Sequence, residues 1–285
     1  MRGLSSTARG AVTTDADMLR SELRDRSAVA VDARRPDEYR RGHIPSAVNL
    51  PLADLLKDDS PERVARLAGS IGIDDETRVV VYDDTFGALA SRIAWTLEYI
   101  GHADVTLLGT TYSQWQSMGI ETTADGGGSG GGAAATDVQP RQHGHTVNPD
   151  MLATHEYLER AMADDRNGSG DTILLDNRER LNFLEQHIPG AVSLPYRTLS
   201  GPDGSILRDR ADMQRLFANR GITGGSEVIT YCGSVGTLSG LAYYALRSAG
   251  LPNARLYVRS FREWKDLQKP TTKQEDANYW DLSAE

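Results

Sequence analysis

The chain has a single cysteine, Cys232, in 285 residues. An internal disulfide is excluded, and the lone thiol fits a reducing compartment, so a cytoplasmic location is expected. One cysteine and six scattered histidines offer no metal-ligand spacing, and neither a metal nor another cofactor is expected. Positive charge is short as well. Lys+Arg total 31 against 40 Asp+Glu, a net charge of −9 with no basic block, which argues against nucleic acid and anionic membranes as partners. No apolar run approaches the ~20 residues of a membrane span. The N-terminus has arginine but no apolar core and does not read as a secretory signal. What remains, 39% hydrophobic and 25% charged, is the composition of a soluble globular protein with length for two domains.

Along the chain, short β-branched runs alternate with helical patterns, so the expected class is α/β, a mostly parallel sheet with helices on both faces. Ala28–Arg34, Arg78–Tyr82 and Val105–Leu108 read as strands; Leu52–Ile71 and Ala88–Ile100 read as helical, the latter with Gly101 at its end. The pattern then recurs. Asp32, Arg34, Tyr39, His43, Ile44, Pro45 and Ala47 match Asp176, Arg178, Phe183, His187, Ile188, Pro189 and Ala191 at an offset of 144. Val79, Tyr82, Asp83, Gly87, Leu89, Gly101, Leu107 and Trp115 match Val228, Tyr231, Cys232, Gly236, Leu238, Gly250, Leu256 and Trp264 at an offset of 149. The five extra residues fall between the blocks, near Ser200–Gly204. The expected organisation is a disordered tail over 1–14, one domain over 15–120, a Gly-rich linker over 121–146, a second domain over 147–267 and a C-terminal tail over 268–285.

The copies diverge chemically at one point. Glu227–Tyr231 is a strand that delivers Cys232 into a small-residue loop, Gly233, Ser234, Val235, Gly236 and Thr237, and a helix starts near Leu238. Inward-turned N–H groups and a helix N-terminus both favour thiolate over thiol. The first copy has Asp83 there. A carboxylate cannot carry sulfane sulfur, so only the second copy is expected to be catalytic.

Asp-X-Arg, an aromatic, His-Ile-Pro-Gly-Ala and a strand ending in Tyr-Cys together resemble the rhodanese domain. Two copies, with Asp in the first loop and Cys in the second, resemble the tandem sulfurtransferases of the thiosulfate and 3-mercaptopyruvate types. The resemblance implies an enzyme that moves sulfane sulfur from a small-molecule donor, through a Cys232 persulfide, to an external acceptor such as thioredoxin or a low-molecular-weight thiol. The six-residue loop from Cys232 to Thr237 is the sulfur-transferring length; related phosphatases use a loop one residue longer, closed by Arg. Cys-Gly-Ser-Val-Gly-Thr resembles the neutral mercaptopyruvate loop, with Val and Gly exchanged, more than the cationic thiosulfate loop.

The expected persulfide cup is made of backbone N–H groups from Gly233 through Val235 and Gly236 to Leu238. Ser234 and Thr237 either donate to the leaving group or satisfy the loop itself. The resemblance implies a His and an Asp from the first domain. His43 is the candidate for the His, with hydrogen bonding inside its own domain as the other reading; Asp32 is the candidate acid, with Asp37 behind it and a structural role as its other reading. His187 is the less favoured histidine. The family's substrate-binding Arg is replaced by Asn182, which leaves Arg178, Arg180 and Arg197 as possible substrate contacts, Arg178 being chiefly structural. Two further readings stand beside the enzyme: a sulfur-carrier module serving a biosynthetic enzyme, and a non-catalytic binding protein.

Overall fold

A computed structural model describes residues 11–124, 139–166 and 171–274. The first copy runs β1 (Thr13–Thr14), α1 (Ala16–Arg24), β2 (Val29–Asp32), α2 (Pro36–Arg41), β3 (Val48–Asn49), α3 (Leu52–Leu55), α4 (Pro61–Ser70), β4 (Val79–Tyr82), α5 (Ala88–Tyr99), β5 (Val105–Leu108) and α6 (Tyr112–Ser117). The second runs α7 (His155–Arg166), β6 (Thr172–Asp176), α8 (Arg180–Glu185), β7 (Val192–Ser193), α9 (Arg210–Ala218), β8 (Glu227–Tyr231), α10 (Thr237–Ala249), β9 (Ala254–Leu256) and α11 (Ser260–Asp266), with 3₁₀ turns at Pro149–Met151 and Tyr196–Leu199. Pro61 splits the expected Leu52–Ile71 helix and starts α4 at its N-terminal position, where a missing N–H costs nothing.

All strand pairs are parallel, in the orders β1-β5-β4-β2-β3 and β7-β6-β8-β9. A bridge from Leu152 to Leu256 stands in the second sheet where β1 pairs with β5 in the first. Successive strand residues face opposite layers. Ala30, Val80 and Tyr82 enter an outer core closed by Leu19 and Trp115; Ile229, Tyr231 and Trp264 form its counterpart in the second copy. The inner residues Val31, Val79, Val81, Leu175 and Val228 enter one continuous core shared by both copies, with α5 and α10 packed together inside it. The two sheets are therefore not independently closed units: they share an apolar layer.

The expected boundaries shift inward at three places, each because the sheet or an adjacent loop offers hydrogen bonds that composition does not reveal. The N-terminal tail ends before Val12, which is buried, and Thr13–Thr14 pair with β5. The linker is bound to the first domain on both flanks: Thr123 pairs with His43, Arg141 N–H donates to Gly69 O (2.8 Å) and Thr146 N–H to Ile100 O (2.8 Å). The C-terminal tail begins as structure, with Thr272 paired to His187. The Gly-rich run itself, 125–138, lies outside the described residues, as do 1–10 and 275–285. The five inserted residues form a turn in which Gly201 N–H donates to Ser205 O, and this turn reaches the first domain through Gln114 Nε2, which donates to Gly204 O (2.8 Å).

Candidate active site

β8 carries the buried apolar run that the parallel sheet requires and ends at Tyr231, so Cys232 emerges at the C-terminal edge of the sheet with 2% of its surface exposed. The chain turns through Gly236, whose φ of +75° suits glycine, and enters α10 at Thr237. The loop is braced from behind by α11: Phe261 N–H donates to Cys232 O and Arg262 N–H to Gly233 O, each at 3.0 Å. Ser260 brings a polar side chain into contact with the thiol. Its Oγ accepts from Cys232 N–H (3.1 Å), donates to Tyr257 O (2.9 Å) and lies 3.7 Å from Sγ. Ser260 holds a φ of +58°, an uncommon backbone state for a residue other than glycine.

The first copy shows what this loop geometry is built to hold. Asp83, at the position of Cys232, turns its carboxylate into its own loop and accepts from the backbone N–H groups of Thr85 (2.9 Å), Gly87 (2.9 Å), Leu89 (2.7 Å) and Ala90 (3.0 Å), and from the Thr85 hydroxyl (3.0 Å). The offset of 149 maps these N–H groups onto Ser234, Gly236, Leu238 and Ser239. Among the described residues none of those four finds a protein acceptor. The same backbone cup is thus filled by an anion of the chain itself in one copy and presented beside a thiol in the other.

The first domain touches the loop directly. Arg92 on α5, 1% exposed, donates from Nε to Val235 O at 2.9 Å and pairs with Asp59 at 3.3 Å. Asp59 in turn pairs with Arg259 at 3.1 Å, next to Ser260. Burial pushes the Arg92 pKa down to about 10, against the pull of Asp59 and Cys232, so the guanidinium is charged at neutral pH. Beside this network lies a cavity of about 360 Å³ between the domains, walled by Arg92, Trp95, Tyr99, His155, Tyr257 and Arg259 among others; Cys232 does not line it.

The expected first-domain partners sit elsewhere. His43 Nδ1 meets Tyr39 O at 2.8 Å, its ring stacks on Tyr39, and its backbone pairs with Thr123. His187 repeats this arrangement with Phe183. Asp32 and Asp176 are buried in two-point pairs with Arg34 and Arg178, whose guanidinium groups also donate to Gly42 O and Gln186 O. Asp37 pairs with Arg35 and Arg41 at the surface. Arg197 donates to Glu179 at 2.6 Å, Asn182 is exposed, and Arg180 keeps a buried Nη1 without a partner. None of these residues is joined to the Cys232 loop by a described hydrogen bond, whereas Arg92, Ser91 and Ser260 are. Sequence reading passed over all three. The available signal was Arg92 itself, a cation inside the otherwise uncharged stretch Ala88–Leu97.

Among the described residues no cluster of three His, Cys, Asp or Glu could hold a metal, and no helix is long and apolar enough to cross a membrane.

Comparison with known proteins agrees with this architecture. The thiosulfate sulfurtransferase of Pseudomonas aeruginosa is 29% identical over 258 residues, covering 83% of this chain and 87% of that protein. The 3-mercaptopyruvate sulfurtransferase of Escherichia coli K12 is 26% identical over 275 residues, covering 87% and 93%. Among solved structures, the anaerobic ergothioneine biosynthesis enzyme of Chlorobium limicola bound to trimethyl histidine superposes with a TM-score of 0.78 over 92% of this chain and 70% of that one; at 20% identity this is a likeness of fold. The rhodanese-like domain matches twice, over residues 15–118 and 155–267, and the chain belongs to the rhodanese family as a tandem pair of such domains.

Proposed function

We propose that this protein is a sulfurtransferase that works through a persulfide on Cys232. The observation that carries the reading is the pair of equivalent loops: four N–H groups hold the Asp83 carboxylate in the first copy, and their counterparts stand without protein acceptors beside the thiol in the second. A persulfide anion has the charge and acceptor capacity that this cup satisfies in Asp83, and each such charge-assisted hydrogen bond is worth about 1.5–3 kcal/mol.

In the first half-reaction the Cys232 thiolate attacks the transferable sulfur of the donor. The bond from that sulfur to the rest of the donor breaks, and its electron pair leaves with the departing group. With 3-mercaptopyruvate the departing group is the enolate of pyruvate, which takes up a proton. In the second half-reaction an acceptor thiolate attacks the outer sulfur, the S–S bond breaks, and the Cys232 thiolate returns. The chain has no second cysteine, so the acceptor thiol comes from outside, from a low-molecular-weight thiol or a thioredoxin-like protein. Ser234, Thr237 and Ser260 supply hydroxyl groups at the loop. The neutral loop favours a 3-mercaptopyruvate-like donor over thiosulfate, whose sulfonate calls for cations.

A second reading, a persulfide carrier charged by another enzyme, is favoured by one feature. Two of the three arginines that could clamp a donor carboxylate are engaged, Arg178 by Asp176 and Arg197 by Glu179, and Asn182 stands where the family has Arg. Mass spectrometry of Cys232 after incubation with 3-mercaptopyruvate, thiosulfate or a desulfurase decides between the readings. A gain of one sulfur with 3-mercaptopyruvate, together with thiocyanate formation from cyanide, supports the enzyme. A gain only with a desulfurase supports the carrier. No gain under any condition overturns both. Cys232→Ser is expected to abolish transfer, and residual turnover in that variant would remove Cys232 from the mechanism.

A further inference from the structure

We infer that Arg92, on the non-catalytic domain, is a positioning residue that keeps one wall of the Cys232 cup facing the sulfur. The inference rests on the persulfide reading and adds to it a requirement for the first domain in catalysis.

In a trans peptide the C=O and the following N–H point in opposite directions. Arg92 Nε–H holds the Val235 carbonyl at 2.9 Å on the domain-interface side. The N–H of that same peptide belongs to Gly236 and is thereby turned to the other side. Its counterpart in the first copy, Gly87 N–H, is turned the same way and donates to Asp83 at 2.9 Å. Holding the carbonyl outward therefore holds the N–H inward.

The two copies achieve this by opposite means. In the first, the Asp83 carboxylate grips the N–H groups from inside the cup, and the position equivalent to Arg92 is Leu241, whose Cδ1 packs beside Gly87. In the second, sulfur enters and leaves in every cycle, so no permanent internal anchor exists and an external one is needed. Gly236 makes the need acute, because a glycine at φ +75° offers little steric resistance to a flip of its peptide. The seat is close: a Cβ built on Gly236 would lie 3.5 Å from Arg92 Cδ and 3.3 Å from Val258 Cα.

Arg92 is itself fixed. Its guanidinium donates to Thr96 Oγ1 and Asp59, and Asp59 pairs with Arg259 beside Ser260, which accepts from Cys232 N–H. The loop is thus closed by a ring of contacts through both domains. Ser91 Oγ adds a weaker contact to Thr237 O at 3.3 Å, with its single proton shared with Ala88 O at 3.0 Å. Among the described residues, the charged groups bonded to the loop or to its network are Arg92 on α5, Asp59 ahead of α4 and Arg259 and Arg262 around the start of α11, and of these Arg92 is bonded to the loop by its side chain.

The test compares Arg92→Met, Arg92→Lys and Asp59→Asn with the wild type, with thermal melts to establish folding. The first readout is the pH dependence of Cys232 alkylation by iodoacetamide, which needs no sulfur donor. The second is kcat and KM for 3-mercaptopyruvate with cyanide. Arg92→Met is expected to raise the midpoint of the alkylation profile by about one unit, slow alkylation near pH 7 about tenfold, and lower kcat with little change in KM. Arg92→Lys keeps the charge but lacks the Nε–H that holds Val235 O, so it is expected to recover both the midpoint and kcat only in part. A folded Arg92→Met protein with the wild-type midpoint and kcat overturns the inference, whatever its melting temperature. Should that variant not fold, Arg92→Lys and Asp59→Asn decide by the same two readouts, and unchanged values in both overturn it. A wild type that forms no persulfide refutes the functional reading while the alkylation profiles still report on Arg92.

Discussion

Cys232 and Asp83 occupy the same strand end in two copies of one fold, and the difference between them is electrostatic rather than steric. Asp83 is 2% exposed yet stays in place because four N–H groups and a hydroxyl surround it. Replacing it removes the acceptor and leaves those donors buried. Asp83→Ala is expected to destabilise the protein by about 2–4 kcal/mol in urea denaturation, given the cost of leaving buried donors unpaired. Cys232 in the same variant should remain reactive toward iodoacetamide, since the second loop has its own anchors. The paired arginines of the Asp-X-Arg motifs follow a similar logic. Arg34 and Arg178 neutralise buried aspartates at strand ends and stack over Tyr112 and Phe261, so they hold the strand-to-helix turns and are not free for substrate.

At the level of elements, α5 and α10 form the joint of the molecule. Each starts from a left-handed glycine, Gly87 or Gly236, at the mouth of its loop. Their contact depends on a small residue: a Cβ on Gly240 would lie 3.2 Å from Ser91 Oγ and 3.5 Å from Arg92 N. A larger side chain there must push α5 away from α10, and with it the arginine that grips Val235. Gly240→Val is expected to cost about 1–3 kcal/mol of stability from overpacking. It should also slow Cys232 alkylation in the folded protein, a loss that Gly240→Ala shows to a smaller degree. Chemical denaturation and alkylation rates measured on the same samples test the coupling. Apolar periodicity alone predicts that α5 is buried; it does not say that the burial is against the other copy.

Across the whole molecule, polar pairs tie the domains together over the shared core. Glu98 pairs with Arg247 at 2.6 Å, and Phe86 stacks on Tyr196. The segment leading into the second domain is strapped to the first by a buried histidine pair. His102 Nε2 meets Thr77 O at 2.7 Å and His143 Nδ1 meets Gly144 O, so each ring donates to a carbonyl, and the two remaining nitrogens, His102 Nδ1 and His143 Nε2, face each other at 2.9 Å. Burial is the largest influence on His102 and lowers its pKa from 6.5. The folded state therefore binds fewer protons than the unfolded state below that value, and stability is full above about pH 6.5 and falls as the pH drops through it. Denaturation midpoints between pH 7.5 and 5 should show this loss, up to about 1.4 kcal/mol per pH unit for one proton. His102→Gln should flatten the slope, and an unchanged slope would assign the acid sensitivity to other groups.

The α/β class, the duplication and the divergence at position 83 against 232 were all legible in the chain, and so was the thiol on which the proposed mechanism is built. Each rests on local information: alternation of short apolar runs, a repeat at constant offset, and side-chain chemistry at a strand end. The structure alone decided which other groups surround the thiol. Arg92 and Asp59 lie 140 and 173 positions from Cys232 in the chain, and they meet its loop network only because α5 packs on α10 across a shared apolar core. Ser260 reaches Cys232 only through the turn into α11, at a backbone angle that its residue type does not advertise. Hydrogen bonds between distant segments depend on packing, which periodicity does not encode. The same limit separates the two histidine motifs from the Cys232 loop: a matching motif determines the local turn, and the domain interface determines what that turn can reach.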